Sequence, residues 1–257
     1  MRILFAGHGQ WAVETLRALQ SSNRNIAGVV VEPVPIYANE GWFESMEEVA
    51  LCLGLSVFKQ RIDLRLLDEM NPDLLVNVSF HQIYRRDILD RVGIINLHGS
   101  LLPKYKGRSV LNWAIINGEA EVGVTVHWVR EQVDAGDIIC QERVKVDLND
   151  TALDVYKKSL PLYPRLCLAA LELIEKGAAK GVEQDESESR YWPQRTPKDS
   201  ELKELNIPLK SLHDFIRGLS DPYPNAFIRV GQKRITFKRS IMQGGVLEVS
   251  CLIEENP

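Results

Sequence analysis

No run in this 257-residue chain approaches the ~18 consecutive apolar residues that a membrane-spanning helix requires, so a helical membrane protein is not expected. The opening residues pass from Met1 and Arg2 straight into a strand pattern and not into a leader, which points to a cytoplasmic location. Cysteine is scarce and scattered. Cys52, Cys140, Cys167 and Cys251 lie far apart without paired metal-ligand spacing, so they read as free thiols, and no structural metal is expected. Positive charge is not in excess either: 31 Lys and Arg stand against 35 Asp and Glu, a formal net charge of -4, which gives no general attraction for nucleic acid. There is no internal repeat and no low-complexity tract. A hydrophobic share of 45% with 26% charged residues is that of a globular chain able to bury a sizeable core.

The chemistry concentrates between residues 96 and 134. An apolar run over residues 92–95 reads as a buried strand that breaks at Gly99, Ser100 and Pro103. Side chains alternate along a strand, so Asn96 and His98 project from one face at its carboxyl end, where open α/β sheets place their ligands. A second strand over residues 123–129 leads to Asp134, followed by Ala135 and Gly136 in a tight turn before Ile138 and Ile139 begin another strand. An amide, an imidazole and a carboxylate are thus candidates for one cleft. Such a trio suits acyl transfer to an amine: the imidazole accepts the proton that the attacking amine loses, and the amide donates to the oxyanion. The carboxylate holds the tautomer of the imidazole and stabilises its protonated form. Taken alone the spacing proves none of this, since a single histidine beside a strand end is more often a satisfied structural residue.

Asn96-Leu97-His98, then Ser100-Leu101-Leu102-Pro103, with Asp134-Ala135-Gly136 at a matching distance, is similar to the signature of the folate-dependent formyltransferases. The resemblance implies a Rossmann-like α/β fold with a mostly parallel sheet. It implies Asn96, His98 and Asp134 as the catalytic trio and N10-formyltetrahydrofolate as co-substrate. It further implies that Phe80, Gln82, Ile83 and Tyr84 contribute to folate binding, largely through backbone groups. Of the family's branches, the length, the acidity and the Trp192-Pro193-Gln194-Arg195 segment fit the nucleotide-sugar N-formyltransferases best. The expected acceptor is then a dTDP-linked 4- or 3-amino-dideoxy sugar for surface polysaccharide, such as the O-antigen of lipopolysaccharide, made by a homodimer. A methionyl-tRNA formyltransferase and a formyltetrahydrofolate hydrolase are the folate-dependent alternatives.

The expected fold is a catalytic domain over residues 1–200 and a small β-rich subdomain over residues 201–257. Strands are expected at residues 2–6, 26–31, 55–58 and 73–79, with helices at residues 45–53 and 66–70. Gly7, Gly9 and Ala12 match Gly-x-Gly-x-x-Ala ahead of a helix carrying Val13, Leu16 and Leu19. With Glu32 after the second strand, this keeps an NAD(P)-binding dehydrogenase or sensor in view. Lys104, Lys106 and Arg108 form a basic cluster for a phosphate, with Ser109 as a cap for the next helix. Trp192 and Arg195 are candidates for stacking a base and meeting a phosphate. A helical pattern over residues 151–176 should break near Pro161 and Pro164, and residues 183–190 read as a charged linker. A helix over residues 209–219 and a basic hairpin with Arg229, Lys233, Arg234, Lys238 and Arg239 close the chain. His81 and His127 read as structural, and His8 and His213 have no evident partner.

Overall fold

A computed structural model describes residues 1–32 and 43–255. Its first compact unit comprises residues 1–106, 123–142 and 159–189, and its second residues 107–122, 143–158 and 190–257. The units are therefore not divided at one point in the chain, because the segments on either side of residues 123–142 join the C-terminal elements.

The chain begins as expected. Strand β1 (Arg2–Gly7) leads into helix α1 (Gly9–Ser21), which buries Val13, Leu16 and Leu19. Then follow β2 (Asn25–Val30), α2 (Met46–Cys52), β3 (Val57–Phe58), α3 (Leu64–Met70) and β4 (Leu74–Val78). Helix α2 starts where the Ser45 hydroxyl accepts from the Glu48 amide, and α3 starts where Asp63 accepts from Leu66. Helix α4 (Arg86–Arg91) precedes β5 (Gly93–His98). The short strand β6 (Lys106–Gly107) and helix α5 (Val110–Ile116) lead to β7 (Glu121–Trp128) and β8 (Ile138–Lys145). The main sheet runs β3-β2-β1-β4-β5-β7-β8. Its pairs from β3 to β5 are parallel, and β7 joins β5 antiparallel. The central strands read as continuous apolar runs because both faces are covered, β4 being buried at every residue. Strand order reverses between β1 and β4, the kind of switch point beside which open α/β sheets generally take ligands. The glycine turn serves packing. A Cβ on Gly7 would lie 2.6 Å from the Ala12 Cβ and 2.8 Å from the Phe5 ring, so glycine lets α1 sit close on the sheet.

The long helical pattern divides into α6 (Ala152–Ser159) and α7 (Leu162–Glu175). The break falls at Pro161, whereas Pro164 sits in the first turn of α7, where a missing N–H costs no hydrogen bond. Strand β9 (Tyr191–Trp192) and helix α8 (Leu209–Gly218) precede the antiparallel sheet of β10 (Phe227–Val230), β11 (Lys233–Gln243) and β12 (Val246–Glu255). In the second unit α8 packs on α5 and β11. His213 is fully buried, bonded to Ser240 at 2.8 Å and to the Leu148 carbonyl at 2.8 Å, partners that lie 27 and 65 residues away and so leave no sequence signal. Ser109 stands at the N-cap of α5, yet its hydroxyl accepts from the Arg195 amide and not from the helix.

The four cysteines are free, and burial separates them. It pushes the Cys140 thiol up to about 11 and the Cys167 thiol up to about 12, while Cys52 and Cys251 are exposed. Thiolate is the reacting form, so a disulfide reagent at pH 8 is expected to modify Cys52 and Cys251 quickly and the other two only after unfolding. Four fast thiols in the native protein would contradict this packing.

Candidate active site

Strand β5 delivers Asn96 and His98 from one face, and β7, paired with it, places Thr125 opposite His98 and His127 opposite Asn96. Asp134 arrives on the loop after β7. Gln184 ties that loop: its Nε2 donates to the carbonyls of Asp134 (2.8 Å) and Gly136 (2.7 Å). Asp134 takes a left-handed backbone, φ 52°, and its carboxylate faces two imidazoles. Its Oδ1 lies 3.7 Å from His98 Nδ1 and 3.6 Å from His127 Nε2. The sequence-derived trio is thus brought together, and His127, read from sequence as structural, belongs to the same cluster.

The hydrogen bonds fix which atoms are donors. His98 Nε2 lies 2.8 Å from the Tyr105 carbonyl, which only accepts, so Nε2 carries the proton and the neutral ring presents a bare Nδ1 to Asp134. Tyr105 therefore takes the tautomer-setting contact that the sequence suggested for Asp134. Ser100 Oγ donates to the same carbonyl at 2.6 Å. His127 Nδ1 donates to the Trp128 carbonyl at 2.8 Å, so its Nε2 accepts from Asn96 Nδ2 at 3.1 Å. Behind Asn96, Asn77 Nδ2 donates to Asn96 Oδ1 (2.7 Å) and to the Phe80 carbonyl (3.3 Å), and Asn77 Oδ1 accepts from the Tyr84 hydroxyl (2.9 Å). The strand that follows braces the floor: Gln141 Nε2 donates to Thr125 Oγ1 (2.7 Å) and to the Leu102 carbonyl (3.0 Å).

The side chains of the residues suggested for folate are mostly engaged within the protein. Phe80 and Tyr84 are buried in the core with Leu66, Ile88 and Ile94, and Gln82 clasps the backbone of Ile62 through both its amide atoms. Only Ile83 is exposed. A depression of about 420 Å³ opens nearby, lined by Arg86, Leu89, Val92, Ile94 and residues 128–132 of the loop leading to Asp134. None of those four residues lines it.

Glu32 is engaged within the protein. It accepts from the His81 amide (2.7 Å) and its ring (3.2 Å). Burial pushes the Glu32 carboxyl up, but the His81 bonds outweigh it and hold the group below its ordinary value. His8 meets Phe43 edge-on at 5.3 Å, and burial, then His81, lowers its pKa.

The basic cluster separates. Lys104 is exposed near the Tyr105 ring, whereas Lys106 is fully buried and pairs with Glu186 at 2.7 Å. The charged stretch around Glu186 thus anchors a buried lysine. Arg108 is exposed in the second unit, where its amide donates to the Trp192 carbonyl. Trp192 packs on Trp113 with ring centroids 5.0 Å apart and carries Arg190 over its face at 4.3 Å. The Arg195 guanidinium stacks on Trp113 at 4.3 Å and donates to the Asp199 carbonyl; burial lowers its pKa. Among the described residues no group of His, Cys, Asp and Glu is placed to hold a metal ion.

An amide, two imidazoles and a carboxylate thus meet at the end of β5 in a mostly parallel sheet, an arrangement chemically suited to acyl transfer. Residues 1–171 match the formyl transferase family model and residues 197–254 the model of the methionyl-tRNA formyltransferase C-terminal domain. The chain belongs to the formyl transferase family. Among solved structures, it is similar to the N-formyltransferase from Helicobacter canadensis in complex with folinic acid and dTDP-3-aminofucose, at 20% identity over 98% of both chains with a TM-score of 0.75. It is also similar to methionyl-tRNA formyltransferase from Clostridium thermocellum (19%, 100% of both chains, TM-score 0.70). A third is a likely sugar N-formyltransferase from Mycobacterium tuberculosis (21%, 90% of this chain and 92% of that one, TM-score 0.71).

Proposed function

We propose that the protein transfers a formyl group from N10-formyltetrahydrofolate to the amine of a dTDP-linked 4- or 3-amino-dideoxy sugar. The observation that carries this reading is the convergence of Asn96, His98 and Asp134 at one strand end of a formyl transferase fold. The folate supplies an activated formyl carbon. Asn96 Nδ2 donates to the carbonyl oxygen as it becomes an oxyanion. His98 Nδ1 takes the proton released by the attacking amine, and the imidazolium so formed is balanced by Asp134. When the bond from the formyl carbon to N10 breaks, the leaving nitrogen takes that proton back from the His98 imidazolium, so tetrahydrofolate and the formamide are the products and His98 is neutral again. The depression beside the Asp134 loop supports folate binding, since it sets Leu89, Val92, Ile94 and Trp128 for a heteroaromatic ring among the polar Arg86, Asp90, Arg130, Glu131 and Gln132. Backbone groups of residues 80–84 are proposed to add to it. Lys104, Arg108, Trp192 and Arg195 are the proposed contacts of the nucleotide.

Charge in the C-terminal hairpin favours the sugar over RNA. Arg229 pairs with Glu201, Lys238 pairs with Asp221, and Lys233 and Arg234 stand opposite Glu255 and Glu254. Little positive field is left for a phosphate backbone. The match of residues 197–254 to a methionyl-tRNA formyltransferase domain supports the tRNA substrate as a second reading. Tetrahydrofolate release should depend on one member of a panel of dTDP- and UDP-linked amino sugars. Activity only with charged initiator tRNA would establish the second reading, and formate release without any acceptor would identify a hydrolase.

The working form is proposed to be a homodimer. Its support is the edge strand β12, whose Val246, Leu252 and Ile253 are 62%, 53% and 61% exposed, since an open apolar edge is a template for pairing. Sedimentation is expected to show a dimer that Leu252→Lys with Ile253→Lys converts to a monomer. A monomeric wild type would refute it.

A further inference from the structure

We propose that Asn77 is a positioning residue that fixes which way the Asn96 amide points. The proposal rests on the reading of Asn96 as the oxyanion donor. An asparagine side chain is nearly symmetric in shape, so only its hydrogen-bond partners decide whether oxygen or nitrogen faces the reaction. Here both ends of the chain of bonds stop at backbone carbonyls, which accept and never donate. At one end the Phe80 carbonyl lies 3.3 Å from Asn77, which makes that atom Nδ2 and turns the same Nδ2 toward Asn96 Oδ1 at 2.7 Å. At the other end the Trp128 carbonyl holds the proton of His127 on Nδ1, which leaves Nε2 to accept from Asn96 Nδ2. Tyr84 donates into Asn77 Oδ1 and completes the order. Its hydroxyl is fully buried, and burial raises its pKa further from neutrality, so it stays a donor.

Turning Asn96 round would set nitrogen against nitrogen at Asn77 and oxygen against the bare Nε2 of His127. Both contacts are buried, Asn77 being 5% and His127 1% exposed, so water cannot relieve the mismatch. With the order kept, one N–H of Asn96 is spent on His127 and the second remains for the developing oxyanion. Asn77 touches no reacting atom in this account and acts through Asn96. Nothing in the signature motif marks it, because it lies on β4, 19 residues earlier in the chain.

Asn77→Asp keeps the size and removes the donor, so it should reverse the Asn96 amide. Three measurements test this. The rate constant kcat is expected to fall about tenfold or more, with KM for the folate substrate nearly unchanged, since an oxyanion donor acts in the transition state. In long-range ¹⁵N spectra His127 should carry its proton on Nδ1 in the wild type, and Nε2 should become protonated in the variant; a role confined to stability would not move that signal. In an Asn96→Ala background the Asn77→Asp change should cost nothing more in kcat. Should Asn77→Asp not fold, Tyr84→Phe removes only the ordering hydroxyl and takes its place, with a smaller fall in kcat that likewise vanishes in the Asn96→Ala background. Losses that multiply across the two backgrounds, or a His127 ring indifferent to position 77, would overturn the proposal. Normal turnover in Asn96→Ala alone would withdraw the oxyanion role, and the relay with it, while an altered His127 ring would still show the hydrogen-bond order to be real.

Discussion

His98→Asn is expected to lower turnover by more than about a hundredfold, the range of general-base effects, while the thermal midpoint moves little. The two halves of this expectation have separate causes. Catalysis is lost because asparagine has no nitrogen that can take a proton near neutral pH, and the bare Nδ1 facing Asp134 at 3.7 Å is the only such atom that the trio offers beside the Asn96 amide. The fold survives because the Tyr105 carbonyl, which loses the His98 donor, keeps the Ser100 hydroxyl at 2.6 Å. A backbone carbonyl with one remaining partner is satisfied. Asp134→Asn should act through the same proton: the imidazolium loses its counter-charge, so kcat falls. Steady-state rates and melting curves for both variants check this. Near-normal turnover in His98→Asn would remove that residue from the mechanism.

The convergence of the trio was readable because Asn96 and His98 close an apolar run that stops at Gly99 and Ser100, and Asp134 lies in the turn between two strands. Period-2 geometry then fixes that Asn96 and His98 share a face. What surrounds the trio was not readable for a common reason. Asn77, His127 and Gln184 reach the site across strand pairings or loops 19 to 50 residues apart, Tyr84 joins only through Asn77, and their polar atoms look no different in sequence from solvated ones. His127 falls within a buried strand, where an apolar neighbour pattern suggests packing. Its pairing opposite Asn96 follows from the antiparallel register of β7 on β5, a choice that periodicity does not make. Lys106 misled in the other direction. Three cations in five residues suggest a cluster for a phosphate, but the chain buries the middle one against Glu186, 80 residues on. The sequence suggested a boundary near residue 200; residues 107–122 group with the C-terminal elements because α5 packs on α8, a contact between helices about 100 residues apart.

Gly136→Ala is expected to cost turnover about a hundredfold or more and to lower stability by about 2 kcal/mol or more, an effect larger than an ordinary alanine insertion. A Cβ built on Gly136 lies 1.7 Å from the Trp128 carbonyl oxygen and 2.7 Å from its carbon. Those atoms cannot yield by rotating a side chain, for they belong to the end of β7, and the Trp128 amide is itself bonded to the Asp137 carbonyl at 2.9 Å. The loop must move instead. Gln184 ties the carbonyls of Asp134 and Gly136 into one bracket, so a displacement at Gly136 travels to Asp134 and pulls its carboxylate from His98 and His127. Misplacement of a catalytic group by about 1 Å is enough for such a loss in rate. Gly54→Ala separates this clash from the general cost of replacing glycine: Gly54 has φ +73° and nothing within 4 Å, so its variant should lose only about 1 kcal/mol and none of the turnover. Melting temperatures and kcat for the pair decide the matter. Equal behaviour of the two variants would mean that the Asp134 loop is not held against β7 as tightly as the 1.7 Å approach requires.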